Sequence, residues 1–140
     1  MPESILLVED DPLCRMMTVH TLERAGHRVA TAANGREAQH LLSEHKFSLL
    51  ITDIFMDDMD GLELIRLVHS AQPKLRVIAI SAGSPLFDVD FLRYAQLMGA
   101  SQVLHKPVLP PALLAAVAAS EVAPTDMSQP PDPTPAATNI

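Results

Sequence analysis

The chain has 140 residues, of which 48% are hydrophobic, and a formal net charge of −7. This length and composition fit one globular domain, and the lack of clustered Lys and Arg argues against direct binding to nucleic acid. The single cysteine, Cys14, excludes an internal disulfide, no apolar run is long enough for a membrane span, and the acidic N-terminus is unlike a secretory signal, so we expect a cytoplasmic protein.

Short apolar stretches alternate along the chain with longer amphipathic ones, which predicts five strands and five helices. The predicted strands, in chain order, lie at 5–8, 29–32, 47–53, 76–81 and 101–105. The predicted helices lie at 13–25, 36–45, 61–71, 84–98 and 111–121. Because the strands are almost continuously apolar, we expect a parallel sheet covered on both faces, in a three-layer, doubly wound α/β fold.

Three segments carry further local signals. Asp11 is the expected N-cap of the first helix, and Gly26 its expected stop. Residues 112–119 of the fifth helix are all apolar, which fits either a partner or dimer contact or a surface that tolerates alanine. From residue 123 onward the chain is rich in proline and has no apolar period, so we expect a domain at 1–122 and a disordered tail or linker at 123–140.

Polar side chains stand at the carboxyl ends of four predicted strands. They are Glu9, Asp10, Asp53, Ser81 and Lys106. In a parallel α/β sheet these ends meet at one rim, where ligands bind. Three carboxylates raise one another's pKa unless a cation intervenes, and hard oxygen ligands suit Mg²⁺. A carboxylate beside Mg²⁺ and a lysine can attack phosphorus, and the cations stabilise the transferring oxygens.

Other site chemistries fit the sequence less well. A calcium loop aligned on Gly61 would place Met56 and Leu67 where carboxylates are required. The six histidines lack metal-ligand spacing, and Asp11 is assigned to helix capping. A Mg²⁺-dependent phosphohydrolase would need a water-activating base, and none is clearly placed.

Four segments, in this order and spacing, make the chain resemble the receiver domains of bacterial two-component response regulators. They are ILLVEDD, LLITDIFMDDMDG, VIAISA and GASQVLHKP, which together span residues 5–107. The resemblance implies a flavodoxin-like fold with strand order 2-1-3-4-5. It also implies that Asp53 is the phosphoacceptor, Ser81 the switch hydroxyl and Lys106 the lysine that grips the phosphoryl group, with a cis bond to Pro107.

The resemblance also implies a metal site and a signalling role. Asp10, Asp53 and the Phe55 carbonyl would bind Mg²⁺, with Glu9 acting through water. A sensor histidine kinase or a histidine phosphotransfer protein in a phosphorelay would donate the phosphoryl group and dock at the exposed start of the first helix, 13–17. The domain would catalyse only its own phosphorylation and dephosphorylation, and would switch a protein-binding surface that includes a homodimer contact on the fourth- and fifth-helix side.

Three positions depart from the family pattern. Asp57 stands where proline is frequent, Val103 where an aromatic residue or histidine is usual, and Gly83 adds no side chain over the site. Asp57 would either weaken phosphate affinity or shorten the lifetime of the phosphoryl group, or it would point to water and do neither. Val103 would leave output to loop and helix shifts. Asp57 and Val103 also support the alternative, a receiver-like protein-binding module that signals without phosphorylation.

Overall fold

The computed structural model describes residues 2–54, 61–81, 93 and 95–122. The strands are β1 (Ser4–Val8), β2 (Arg28–Ala32), β3 (Leu49–Asp53), β4 (Arg76–Ser81) and β5 (Gln102–His105). The helices are α1 (Pro12–Arg24), α2 (Gly35–Glu44), α3 (Gly61–Ala71), α4, described at 95–98, and α5 (Pro110–Val122). Within these ranges no helix has both the length and the apolar character that crossing a membrane requires.

The predicted elements are confirmed wherever the structure describes them, with small shifts at their ends. The fourth helix is seen only at its end, because its predicted start at Ser84 and Pro85 lies outside the described residues. The predicted tail at 123–140 also lies outside them. The boundaries of α3 and β4 agree with the predictions, since Gly61 opens α3 and Ser81 closes β4.

All neighbouring strands in the sheet run parallel, in the order β2-β1-β3-β4-β5. This order confirms the doubly wound, flavodoxin-like architecture, in which the order reverses beside β1. The register matters for function. Val8 pairs with Thr52, so the residues that follow, Glu9 and Asp53, are adjacent at the carboxyl edge. Ser81 pairs with His105, which brings the residue after β5 to the same edge.

Two hydrophobic clusters cover the two faces of the sheet. Alternate residues of β1 divide between them, because side chains along a strand point to opposite faces. Leu6 and Val8 join the cluster with the α3 residues Leu64 and Ile65. Ile5 and Leu7 join the cluster that includes residues of α1 and α5. The predicted three layers are therefore present, and both faces of the strands are buried.

The ends of α1 follow the sequence signals, but its apolar spacing does not translate into burial. The Asp11 carboxylate accepts from the backbone N–H of Leu13 at 2.9 Å, and Gly26 has a φ of 97°. Of the apolar residues at positions 13, 16, 17 and 22, Leu22 alone is buried, because it lies about 180° around the helix from Leu13. The other three are 60–62% exposed: Leu13, Met16 and Met17. The exposed start of this helix is thus confirmed.

Helix α5 keeps its large side chains on the sheet. Leu113 and Val117 are buried, whereas every exposed residue between 112 and 119 is alanine. A surface of small side chains explains the unbroken apolar run without requiring a partner. The homodimer contact stays a prediction.

Leu22→Ala is expected to lower the free energy of unfolding by about 2–5 kcal/mol, because it opens a cavity beneath α1. Met17→Ala, on the same helix but 60% exposed, is expected to change it by less than about 0.5 kcal/mol. Urea unfolding of both variants measures the difference. Equal losses would contradict the burial pattern of α1.

Candidate functional site

The carboxyl edge of the sheet brings together the polar residues that the sequence placed at strand ends. Asp53 closes β3 and Ser81 closes β4, while Glu9 and Lys106 directly follow β1 and β5. Glu9, Asp53 and Ser81 are buried, with 4%, 4% and 0% of their surface exposed. The parallel register therefore places these groups at a single buried rim.

Lys106 connects the two buried carboxylates. Its Nζ lies 2.9 Å from Oε1 of Glu9 and 2.9 Å from Oδ2 of Asp53. The lysine side chain is 25% exposed, so its ammonium faces both the rim and solvent. The loop that carries it is attached to β4, since the Lys106 N–H donates to the Ser81 carbonyl at 2.8 Å, and the bond to Pro107 is cis as expected.

The two carboxyls differ in how they hold a proton. Burial raises the pKa of Asp53 to about 7, and the Glu9 carboxyl adds to this while Lys106 opposes it. Burial also acts to raise the pKa of Glu9, but hydrogen bonds with Asp53, Lys106 and the Asp11 N–H lower it on balance. In the metal-free site the shared proton is therefore held mainly by Asp53, while Glu9 stays ionised.

Three carboxylates converge where they could hold a cation. Glu9, Asp10 and Asp53 each offer one oxygen, and these oxygens lie within 4.8 Å of one another. When Asp53 is ionised, three negative charges face the one positive charge of Lys106, and a divalent cation would balance the difference. Hard oxygen ligands at a partly exposed position fit Mg²⁺, which retains several waters. The Phe55 carbonyl, the further ligand expected from the sequence, lies outside the described residues.

The loop after β1 is held by a residue to which the sequence analysis assigned no role. Arg15, in the first turns of α1, donates from Nη1 to the Glu9 carbonyl at 2.8 Å. The Glu9 N–H donates to the Ala32 carbonyl at 3.0 Å, and the Glu9 carboxylate accepts from the Asp11 N–H at 3.2 Å. Spacing along α1 indicates that Arg15 lies one turn beyond Asp11, but not that its side chain turns back to the sheet.

The position expected to hold an aromatic residue is partly buried. Val103, in β5, pairs with Ala79 and packs against the cluster on the α3 side of the sheet. Its branched side chain has no ring that could swing between inward and outward positions. The other two departures from the pattern, Asp57 and Gly83, lie outside the described residues.

The metal-free protein is expected to lose stability as pH rises from about 5.5 to 8. The Asp53 pKa of about 7 exceeds the value of about 3.9 for an unfolded aspartate, so the folded state binds the proton more tightly. The stabilisation that comes from this bound proton is fully present below the pKa of the unfolded aspartate. It disappears as the pH rises through about 7. The Glu9 pKa is lowered, so Glu9 keeps its charge across this window.

Urea unfolding in a chelator measures this pH dependence, with Asp53→Asn as the matched control. Between pH 5.5 and 8 the wild type should lose about 2 kcal/mol more than the variant, whose amide does not titrate. Parallel stability curves would show that Asp53 is not the proton-holding group.

Comparisons with known proteins agree with this geometry. The family model for the response regulator receiver domain matches residues 5–118. The response regulator receiver protein CpdR of Brucella abortus is 46% identical over 77 residues, which cover 55% of this chain and 64% of that protein. The transcriptional regulatory protein GlrR of Escherichia coli is 34% identical over 116 residues, which cover 83% of this chain and 26% of that protein.

A solved structure gives the same result. The chemotaxis protein CheY4 of Vibrio cholerae matches with a TM-score of 0.77 and 30% identity, over 86% of this chain and 99% of that chain. The chain spans 64% of the length of CpdR and about a quarter (26%) of the length of GlrR. The chain belongs to the response regulator receiver domain family.

Proposed function

We propose that this receiver domain takes a phosphoryl group onto Asp53 from the phosphohistidine of a sensor kinase or phosphotransfer protein. The main support for this proposal is the position of the Lys106 ammonium. It lies 2.9 Å from Asp53, beside three carboxylates at the same edge of the sheet. The domain would catalyse only its own phosphorylation and dephosphorylation, and would not act as an enzyme on a separate substrate. The lone Cys14 fits a cytoplasmic setting.

The side chains support an in-line displacement. An oxygen of the ionised Asp53 attacks phosphorus, a new O–P bond forms, and the P–N bond to the donor imidazole breaks. Lys106 lies where it can stabilise the transferring oxygens, and Ser81 ends the neighbouring strand as a candidate hydrogen-bond donor to the product. When held by Glu9, Asp10 and Asp53, Mg²⁺ would neutralise charge on the phosphoryl group.

Two exposed apolar surfaces support the proposed protein contacts. Leu13, Met16 and Met17 lie at the start of α1, directly after the loop that carries Glu9, and would receive the phosphodonor protein. Leu97 in α4 is 75% exposed and Leu109 before α5 is 63% exposed, on the side proposed for a homodimer. In this proposal the domain acts through protein contacts and makes none with nucleic acid.

The proposal is tested with acetyl phosphate and Mg²⁺, followed by mass spectrometry of the peptide that contains Asp53. We expect an adduct of about 80 Da on the wild type and none on Asp53→Asn. A well-characterised receiver domain, treated in parallel, controls the labelling conditions. Absence of the adduct from the wild type would reject phosphorylation, and transfer of the label to Asp57 in the variant would reject the site assignment.

A second candidate is a binding module that signals without phosphorylation. Val103 supports it, because a valine packed against the core cannot perform the ring rotation associated with output in similar domains. The two functions differ in one measurement. If the domain signals without phosphorylation, its protein partner would bind Asp53→Asn and the wild type with equal affinity, whether or not acetyl phosphate is present.

A further inference from the structure

Arg15 links the first turn of α1 to the residue that follows β1. Its backbone N–H donates to the Asp11 carbonyl at 2.9 Å, while its Nη1 donates to the Glu9 carbonyl at 2.8 Å. Asp10 lies between these two residues and is one of the three carboxylates at the rim. We propose that Arg15 is a positioning residue for Mg²⁺ binding, an inference that rests on the function proposed above.

The proposal follows from the way in which Glu9 is held. Its N–H is engaged by β2 through Ala32, and its carboxylate by Lys106 and the Asp11 N–H. The guanidinium of Arg15 supplies the partner of its carbonyl oxygen. These contacts hold the carbonyl of the peptide unit that leads into Asp10 and the peptide groups on either side of it. The Asp10 carboxylate is thereby held near the other two before any cation arrives.

A preorganised loop lowers the entropic cost of binding the ion. A flexible loop would have to be ordered when Mg²⁺ binds, which weakens affinity. Hydrogen bonds from charged donors stabilise more than neutral ones, but this bond is only partly buried. We therefore expect loss of the Arg15 side-chain bond to weaken Mg²⁺ binding by roughly three- to tenfold.

Simple electrostatics predicts that loss of the Arg15 charge would strengthen Mg²⁺ binding instead of weakening it. A guanidinium near three carboxylates repels a divalent cation, so removing its charge alone would tighten Mg²⁺ binding. A purely structural role would lower the unfolding temperature and leave the affinity of the folded protein unchanged. The direction of the change in affinity therefore distinguishes positioning from both alternatives.

The test compares Arg15→Met with Arg24→Met. Methionine keeps much of the apolar stem, and Arg24 is an exposed arginine in the last turn of the same helix, so it matches the change in charge. Mg²⁺ titrations followed by amide NMR shifts give the dissociation constants. Arg15→Met should raise the constant roughly three- to tenfold, while Arg24→Met should leave it at the wild-type value.

Hydrogen exchange in the metal-free protein gives a second readout. The Asp11 amide, which donates to Glu9, should exchange several-fold faster in Arg15→Met and at the wild-type rate in Arg24→Met. An unchanged or smaller Mg²⁺ constant, or unchanged exchange, would overturn the proposal. If the wild type bound no Mg²⁺, the proposed function would fail, whereas the exchange data would still report whether Arg15 orders the loop.

Arg15→Lys keeps the inference testable if the methionine variant does not fold. Lysine retains the charge but replaces the planar fork by a shorter, single-point donor. If Arg15 acts by positioning, the Mg²⁺ dissociation constant of Arg15→Lys should lie between those of the wild type and Arg15→Met. If only the lysine variant folds, its constant should be about twofold above that of the wild type. A constant equal to that of the wild type would assign Arg15 a role through charge alone and overturn the proposal.

Discussion

Lys106→Met is expected to slow phosphorylation of Asp53 by acetyl phosphate about 100-fold, while Mg²⁺ still binds. The ammonium contacts Asp53 and Glu9 at 2.9 Å and lies where charge develops on the transferring oxygens. Methionine fills a similar volume without that charge. The variant also removes the cation that favours ionised Asp53, so the pKa of Asp53 should rise further above about 7 in the metal-free protein.

The rate is measured by single-turnover labelling at saturating Mg²⁺, and the pKa by carboxyl NMR in a chelator. Lys74→Met is the matched control, because Lys74 is an exposed lysine before β4. It should leave both the rate and the pKa near wild-type values. A rate for Lys106→Met within about twofold of wild type would mean that the lysine only balances the charge of the buried carboxylates. It would then not stabilise the transferring oxygens as proposed.

The sheet and the membership of its rim were predictable from sequence for a common reason. Continuous apolar strands require burial on both faces, and parallel strands end at a common edge. Polar residues that end such strands are therefore brought together regardless of the loops between them. For this reason the sequence predicts Glu9, Asp53, Ser81 and Lys106 at one edge, and the structure has them there.

The contacts within the rim were not predictable, because they depend on side-chain direction. Strand order does not reveal that Lys106 contacts Glu9 as well as Asp53, or that Asp53 is the carboxyl that holds the proton. The apolar residues of α1 are spread around the helix, so their spacing cannot show which side of it lies on the sheet. Met17 and Leu22 lie about 140° apart around the helix, and the structure buries only Leu22.

The close approach of two backbone segments was also invisible in the sequence. Gly61 was assigned only to the start of the third helix. In the structure its N–H donates to the Ile54 carbonyl at 2.7 Å, so α3 begins against the end of β3. A Cβ at this position would overlap the Asp53 carbonyl oxygen and come within 2.6 Å of the Ile54 Cα. A glycine is thus required here for space.

Gly61→Ala is expected to lower the free energy of unfolding by about 3 kcal/mol and to slow labelling of Asp53 at least tenfold in the protein that remains folded. The obstructing atoms belong to the backbone, so no flexible side chain can move aside. Relief requires α3 to shift away from β3, or β3 to shift at its last residue. Either movement displaces Asp53 relative to Lys106, and phosphoryl transfer depends on that placement.

Gly26→Ala separates this steric effect from the general cost of replacing a glycine. Gly26 has a φ of 97° with no atom near its added Cβ, and it lies after α1, at the opposite edge of the sheet from Asp53. Alanine there should cost about 1 kcal/mol through backbone strain and leave labelling unchanged. Urea unfolding and labelling rates of the two variants show whether the steric contact at Gly61 has an effect beyond the loss of a glycine. If Gly61→Ala were labelled at the wild-type rate, the contact between α3 and β3 would not control the position of the phosphoacceptor.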